Sequence, residues 1–507
     1  MILDIVEIFT VDFMKIPNLI GYQTSSEGTN TYQTINPITD QIHPALFVEA
    51  TQEEVDRSAT LANTAYRIFS RTSPMERAQF LSAIVTELEL NKLLLIATYC
   101  GESGLNEQRA EVEFARTFFQ LTSFADLLFQ ENWEIKHIDF PEPNRTPTPK
   151  PQLTKYKLGI GPVVVFGASN FPFAYSTVGG DTAAAFAAGC PVIVKSHPFH
   201  AHTSYKVAQL VVKVAQQLGL PEGVFSHVNA TGYEVGKQLV QHPFVQGVGF
   251  TGSIPGGLAL QQLAQQREVP IPVFAEMGSL NPVVIFPSVI QEQSESIANK
   301  LALSITQGSG QFCTKPGALF LLACTETDRF LETFKPIFEQ QVSYSMVHPT
   351  ISRTYAQRAK QVIDQANVQL FTQGTATNAC NLGIPQLSLT DGQTFDTNKL
   401  LQEEVFGPHA LLVICKDQHE LEQILENISG QLTFSIFHNE ENIQTSNLFY
   451  IAQEKAGRVI LNGVPTGVEV SPAMQHGGPF PSSSDSRFTA VGTDSIERFL
   501  RGVTVQK

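Results

Sequence analysis

Basic side chains are in short supply. Against 48 aspartates and glutamates the chain carries 33 lysines and arginines, a formal net charge of −15. That balance excludes a broad nucleic-acid-binding face, because phosphate-backbone recognition wants clustered cations. A small phosphate-bearing molecule is still allowed, since a few local cations and backbone N–H groups suffice to hold one. Cysteine is sparse too. The six residues, at 100, 190, 313, 324, 380 and 415, form no CxxC pair and no Cys/His cluster. The spacing therefore indicates no metal site and no disulfide framework, and reduced thiols in the cytoplasm are expected. No uninterrupted apolar run reaches transmembrane length, so no membrane is expected. The first residues are broken by Asp4, Glu7 and Asp12 and lack the basic stretch and cleavage site of a secretory signal. Met14 offers an alternative start that would make the thirteen residues before it an artefact.

What the chain does have is core material. Apolar residues make up 42% and charged residues 16% of the 507 positions, which suits two or three domains sharing an interface. From about residue 160, short β-rich runs at 162–167, 191–195, 224–228 and 245–251 alternate with helical stretches. Val207, Leu210, Val211 and Val214, closed by Gly219, predict a helix over 202–218. Such alternation means parallel strands with crossover helices, and ligands then bind beyond the carboxyl ends of the strands. Residues 50–130 read as helical, with Arg77, Phe80, Leu81, Ile84 and Leu88 marking one helix. The proline-rich stretch 133–160 reads equally as a linker or a projecting hairpin. A second α/β alternation runs from Pro282 to about residue 470.

Five segments hold side chains suited to chemistry. In Gly167-Ala168-Ser169-Asn170-Phe171-Pro172-Phe173, Asn170 can aim an amide N–H at a developing oxyanion, or simply cap the next helix. Lys195, ending an apolar run before Ser196-His197-Pro198, can reach ribose hydroxyls or a phosphate, or lie solvated. In Phe250-Thr251-Gly252-Ser253-Ile254-Pro255-Gly256-Gly257, glycines in a strand-to-helix turn permit close approach of a pyrophosphate, although the pattern is not GxGxxG. Glu276, in Phe274-Ala275-Glu276-Met277-Gly278, is either a general base at the end of an apolar run or an ordinary surface glutamate. Cys313, in Gly308-Ser309-Gly310-Gln311-Phe312-Cys313, is either an accessible nucleophile or a small buried hydrophobe. Each signal alone is weak.

Together and in order, over roughly residues 30 to 500, these segments resemble the aldehyde dehydrogenase superfamily. The resemblance implies a mechanism in which Cys313 forms a thioester with an aldehyde, Asn170 supports the oxyanion and Glu276 activates the hydrolytic water. Lys195 falls on the lysine that holds the adenosine ribose, with His197 and Pro198 beside it. Gly252, Ser253 and Gly257 fall in the turn beside the pyrophosphate. In Glu404-Val405-Phe406-Gly407-Pro408, the resemblance assigns Glu404 to the nicotinamide ribose and Phe406 to the ring. Asn170-Phe171-Pro172-Phe173-Ala174, Gly179-Gly180-Asp181-Thr182 and Pro472 to Pro479 look like the branch containing 2,5-dioxovalerate (α-ketoglutaric semialdehyde) dehydrogenases and an NADP-dependent fatty-aldehyde dehydrogenase. That substrate is therefore expected; a medium- or long-chain aliphatic aldehyde and a catalytically silent structural member are the alternatives.

Some positions depart from the family pattern. Val178 and Gly179 stand where many members carry a lysine. Pro198 stands where NAD-selective relatives carry a glutamate that binds the adenosine 2′-hydroxyl. Without that carboxylate, Lys195 and His197 are left to attract a 2′-phosphate, so NADP is expected ahead of NAD. Arg116 is present, but Phe114 and Thr122 occupy positions where the branch carries more arginines. The fold expected from the resemblance is α/β. A Rossmann-like parallel-sheet dinucleotide-binding domain spans 1–132 and 161–281, an α/β catalytic domain 282–484, and a small β oligomerisation extension 133–160 and 485–507. A homodimer or homotetramer is the expected assembly, with a small-molecule aldehyde as the ligand.

Overall fold

The computed structural model describes residues 15–130, 133–134 and 136–507; the alternative start at Met14 lies outside the described residues. Among them, no helix is long and apolar enough to cross a membrane.

The four β-rich runs are strands, and they share one seven-stranded sheet. Its order is Val273–Glu276, Gly247–Thr251, Val163–Phe166, Val192–Lys195, Phe225–Val228, Asn18–Ile20 and Gln23–Ser25. The first five run parallel and the last two antiparallel. Their unbroken apolar character follows from burial on both faces. Val163 and Val165 enter one core with Phe80 and Leu81, while Val164 enters another with Val55, Ile193 and Val248. From Val163–Phe166 the chain builds outward on one side, then returns to build on the other. The order therefore reverses between Val163–Phe166 and Gly247–Thr251, which opens a crevice beyond the ends of both strands.

Helices cover this sheet. Gln52–Phe69 and Pro74–Leu90 each begin with a reciprocal capping box, Thr51 with Glu54 and Ser73 with Glu76. The face marked by Arg77, Phe80, Leu81, Ile84 and Leu88 is buried. The helix predicted over 202–218 is Ala201–Gln217.

A second seven-stranded sheet follows, in the order Gln369–Gln373, Gln386–Asp391, His409–Cys415, Ala318–Leu322, Val283–Ile285, Gln431–Phe437 and Ala456–Leu461. All neighbours are parallel except the first pair. Of the two readings of the proline-rich stretch, the hairpin is the observed one. His137–Asp139 pairs antiparallel with Leu153–Gly159, whose other edge takes Leu500–Gln506 in register from Gly159↔Leu500 to Leu153↔Gln506.

Candidate active site

The crevice widens into a cavity of about 440 Å³. Asn170, His197, Gly252, Ser253, Glu276, Cys313, Glu404 and Phe406 all line it. Strand ends deliver most of them: Asn170 lies just after Val163–Phe166, Gly252 directly after Gly247–Thr251, and Glu276 closes Val273–Glu276. The other three candidates stand apart. Lys195 ends its strand partly exposed, and burial pushes its ammonium down to about 8 against the pull of Glu49. Pro198 opens the short 3₁₀ turn Pro198–His200. Gly257 lies within the helix Ile254–Gln265, where a Cβ would meet Met277 Sδ at 2.4 Å. Its smallness serves helix packing, one step removed from a ligand.

His197 differs from expectation in its charge. Burial, with Lys195, His200 and His348 nearby, holds its imidazole well below the usual histidine range. Its Nδ1 accepts from the Phe199 N–H at 3.3 Å, so the ring is neutral with its proton on Nε2. It offers a hydrogen-bond donor rather than a cation.

The thiol sits on a constrained turn. Gly308, Ser309 and Gly310 have φ of 57°, 56° and 63°, and a Cβ on Gly310 would come within 2.4 Å of the Gly407 carbonyl carbon. That close approach presses the cysteine turn against the Glu404 to Gly407 segment. Gly278 plays the matching part on the other side, since a Cβ there would meet Glu404 Oε2 at 2.4 Å. The Asn170 amide donates to the Gln311 carbonyl at 2.9 Å, two residues before the thiol. Burial and the carboxylates of Glu276 and Glu404 push the Cys313 thiol well above its ordinary value, partly opposed by Arg116. The thiol is therefore protonated at neutral pH, and a base or a new positive charge is needed to activate it.

Several participants carried no local signal in the sequence. His476 is buried and places Nε2 3.6 Å from Cys313 Sγ and 3.5 Å from Glu276 Oε1. The chain around it is pinned to the sheet edge beside the glutamate: Met277 N–H donates to the Ser482 carbonyl at 2.8 Å and Ser484 N–H to Ala275 at 3.0 Å. Buried Glu113 accepts from the N–H groups of Phe173 and Ala174 at 2.7 and 3.1 Å, and from the Tyr99 hydroxyl at 2.6 Å. This fixes the loop that carries Asn170. Lys315 donates to the His409 carbonyl at 2.6 Å, and burial pushes its ammonium down while Glu404 opposes the shift. Arg109 lies over the rings of Phe171 and Phe312, at 4.6 and 4.3 Å from their centroids. Of the two positions expected to be basic, Phe114 is buried against Phe118 and Phe173, and Thr122 is exposed.

The cavity fits a dinucleotide. It lies at the reversal of strand order and is flanked by the first turns of two helices, Ile254–Gln265 through Ser253 and Gly256, and Pro349–Ile363 through Thr350 and Ile351. The dipoles at those helix starts favour a phosphate's negative charge, while the Gly256 and Thr350 N–H groups themselves donate to Ser253 Oγ and His348 Nδ1.

Comparison with known proteins identifies the family. Residues 23–505 match the model of the aldehyde dehydrogenase family. The chain belongs to that family. This aldehyde dehydrogenase is 40% identical over 489 residues to the alpha-ketoglutaric semialdehyde dehydrogenase of Acinetobacter baylyi, covering 96% of this chain and 93% of the relative. It is also 40% identical over 491 residues to alpha-ketoglutaric semialdehyde dehydrogenase 2 of Azospirillum brasilense, with the same 96% and 93% coverage. A 1-pyrroline-5-carboxylate dehydrogenase from Thermus with bound NAD shares the fold at a TM-score of 0.83 and 19% identity, over 100% of this chain and 94% of that one. This aldehyde dehydrogenase is thus an aldehyde-oxidising oxidoreductase that uses a nicotinamide dinucleotide.

Proposed function

We propose that the enzyme oxidises α-ketoglutaric semialdehyde (2,5-dioxovalerate) to 2-oxoglutarate, with NADP preferred to NAD, through a thioester on Cys313. The convergence of Cys313, Glu276 and Asn170 on one cavity carries the reading. The substrate follows the names of the two 40%-identical relatives, and the local charge suits it. The guanidinium groups of Arg116 and Arg458 both act electrostatically on Cys313, and each has a buried Nε without a hydrogen-bond partner among the described residues. Their positive charge would favour a substrate carboxylate held in the cavity.

When bound, the oxidised dinucleotide would supply the hydride acceptor and a positively charged ring. His476 Nε2, 3.6 Å from the sulfur, takes the thiol proton as Cys313 adds to the aldehyde carbon. The oxyanion accepts from the Asn170 amide and the Cys313 backbone N–H; one such donor lowers the barrier by about 3–4 kcal/mol. Loss of hydride from the same carbon leaves the thioester. Glu276 then takes a proton from water, the hydroxide adds to the acyl carbon, and the carboxylate departs as the thiol is restored. Glu404 and Phe406 would hold the nicotinamide ribose and ring, and Lys195 the adenosine ribose. With proline at 198, no carboxylate there would repel a 2′-phosphate.

The two seven-stranded sheets support a dinucleotide-binding domain over 1–132 and 161–281 and a catalytic domain over 282–484. The three-stranded sheet of 133–160 and the chain end supports assembly as a homodimer or homotetramer, since Ile138 in its outer strand and Phe140 just beyond it are 50% and 73% exposed. The six free cysteines suit a reducing cytoplasm.

The test is turnover on α-ketoglutaric semialdehyde, succinic semialdehyde and long-chain aldehydes with both cofactors. The first substrate with NADP should give the highest kcat/KM, Cys313→Ala should form no reduced cofactor, and Arg116→Ala should raise KM for the anionic substrates selectively. A long-chain aldehyde equalling the semialdehyde in kcat/KM overturns the substrate, and a Cys313→Ala enzyme turning over near wild type overturns the nucleophile.

A further inference from the structure

The atoms assigned to catalysis also meet the geometric demands of a thiophilic metal. Cys313 Sγ, His476 Nε2 and a Glu276 carboxylate oxygen all lie within 4.8 Å of one another. The sulfur–nitrogen edge is 3.6 Å and the nitrogen–oxygen edge 3.5 Å. Around tetrahedral zinc, with Zn–S of about 2.3 Å and Zn–N and Zn–O of about 2.0 Å, the same edges are about 3.5 and 3.3 Å. Both measured edges lie within a few tenths of an ångström of these values, and the sulfur–oxygen edge is within 4.8 Å.

Burial favours occupancy. His476 and Glu276 are 2% and 5% exposed, so little side-chain freedom remains to be lost on binding. Glu276 Oε1 is buried with no hydrogen-bond partner among the described residues, and a buried acceptor left unsatisfied is costly. Cys313 and Glu276 also line the large cavity, while His476 and Glu276 line a smaller one behind them. The ligands thus close one side of a coordination sphere and leave the cavity side open for a water, the three-plus-one pattern of open zinc sites. A thiolate, an imidazole and a single carboxylate select zinc over magnesium or calcium, which want shells of oxygen.

We propose that Cys313, His476 and Glu276 form a reversible inhibitory Zn²⁺ site. Binding replaces the thiol S–H bond with a sulfur–zinc bond, releases that proton to solvent, and changes no oxidation state. The metal takes the electron pair of the nucleophile and the carboxylate of the base together, so the enzyme is silent until a chelator removes it. The inhibition, though not the binding, rests on the roles given above to Cys313 and Glu276. No local spacing signals such a site, because its ligands come from three distant stretches of chain.

The experiment titrates the reduced, chelator-treated enzyme with Zn²⁺ alone and, in parallel, with Co²⁺. One equivalent of Zn²⁺ per chain should abolish both turnover and alkylation of Cys313, and chelator should restore both. Co²⁺ should give a near-ultraviolet thiolate-to-metal absorption that Cys313→Ala lacks. His476→Asn should weaken Zn²⁺ binding, followed by calorimetry, by roughly a hundredfold or more. Unchanged Zn²⁺ affinity in either variant, or stoichiometric Zn²⁺ that leaves the thiol reactive, overturns the site. The two readings fail separately: Zn²⁺ bound as described with Cys313→Ala still turning over would sink the mechanism, and a dead Cys313→Ala with undiminished Zn²⁺ affinity would sink the metal site.

Discussion

The side-chain amide of Asn281 donates to the Cys313 carbonyl at 2.8 Å and to the Lys315 carbonyl at 3.0 Å. Asn281 holds a left-handed backbone, φ 50°, and its Oδ1 accepts from the Thr433 hydroxyl at 2.8 Å. One residue therefore ties the cysteine turn to the segment that begins with Glu276. Glycine at 281 keeps the backbone conformation and deletes the three contacts. Asn281→Gly should lower stability by about 2–3 kcal/mol in denaturant and reduce kcat more than it raises KM. Stability and kcat both at wild-type levels would show that the turn is held by other means.

The thiol's environment makes a signed prediction. Because burial, Glu276 and Glu404 hold the Cys313 thiol well above its ordinary value, alkylation by iodoacetamide should rise continuously with pH through the neutral and mildly alkaline range without a plateau. Adding oxidised NADP should speed it at fixed pH, since a positive charge favours the thiolate. Glu276→Gln should alkylate faster than wild type near neutrality, because a charge that opposed the thiolate is gone. The same variant should release one burst of reduced cofactor and then stall. A flat pH profile across this range contradicts the protonated thiol, and slower alkylation of Glu276→Gln contradicts the electrostatic origin.

The proposed preference for NADP rests on charge near the end of Val192–Lys195. Pro198→Glu places a carboxylate where it repels a 2′-phosphate, so the NADP-to-NAD ratio of kcat/KM should fall by roughly tenfold or more. His197→Asn should move the ratio little, because the imidazole is neutral. A ratio untouched by Pro198→Glu means that the 2′-group is read elsewhere.

Arg498 and Asp181 form a buried ion pair, Nη1 to Oδ1 at 2.7 Å. Asp181 lies in the first turn of Gly180–Ala187, the helix that follows the Asn170 loop. Arg498→Ala strands a buried carboxylate and should cost about 3–5 kcal/mol. Adding Asp181→Asn should recover part of that loss in equilibrium unfolding. A double variant no more stable than Arg498→Ala alone would locate the loss in packing.

Parallel strands such as Val163–Phe166 and Val192–Lys195 were legible in the sequence because burial on both faces leaves short, unbroken apolar runs. The helix Ala201–Gln217 was legible through its spacing of valines and its closing glycine. The proline-rich stretch was ambiguous because a hairpin projecting from the body buries little. Its pairing with Leu500–Gln506 depends on residues more than three hundred positions away.

In the site, Asn170, Glu276 and Cys313 announced themselves by residue type after a strand or in a glycine turn. His476, Asn281 and Glu113 did not, because each acts through a contact whose partner is far along the chain. His197 shows the same limit for charge: its identity suggested a cation, and only its surroundings make it neutral.

Alone, then, the order of residues determined the alternation of strands and helices and which side chains bear reactive atoms, since both are carried by near neighbours. The tertiary structure decided which of those atoms meet, which are charged, and that one imidazole lies within 3.6 Å of both the thiol and the carboxylate. Distance and desolvation are properties of the packed chain, and no stretch of it holds them by itself.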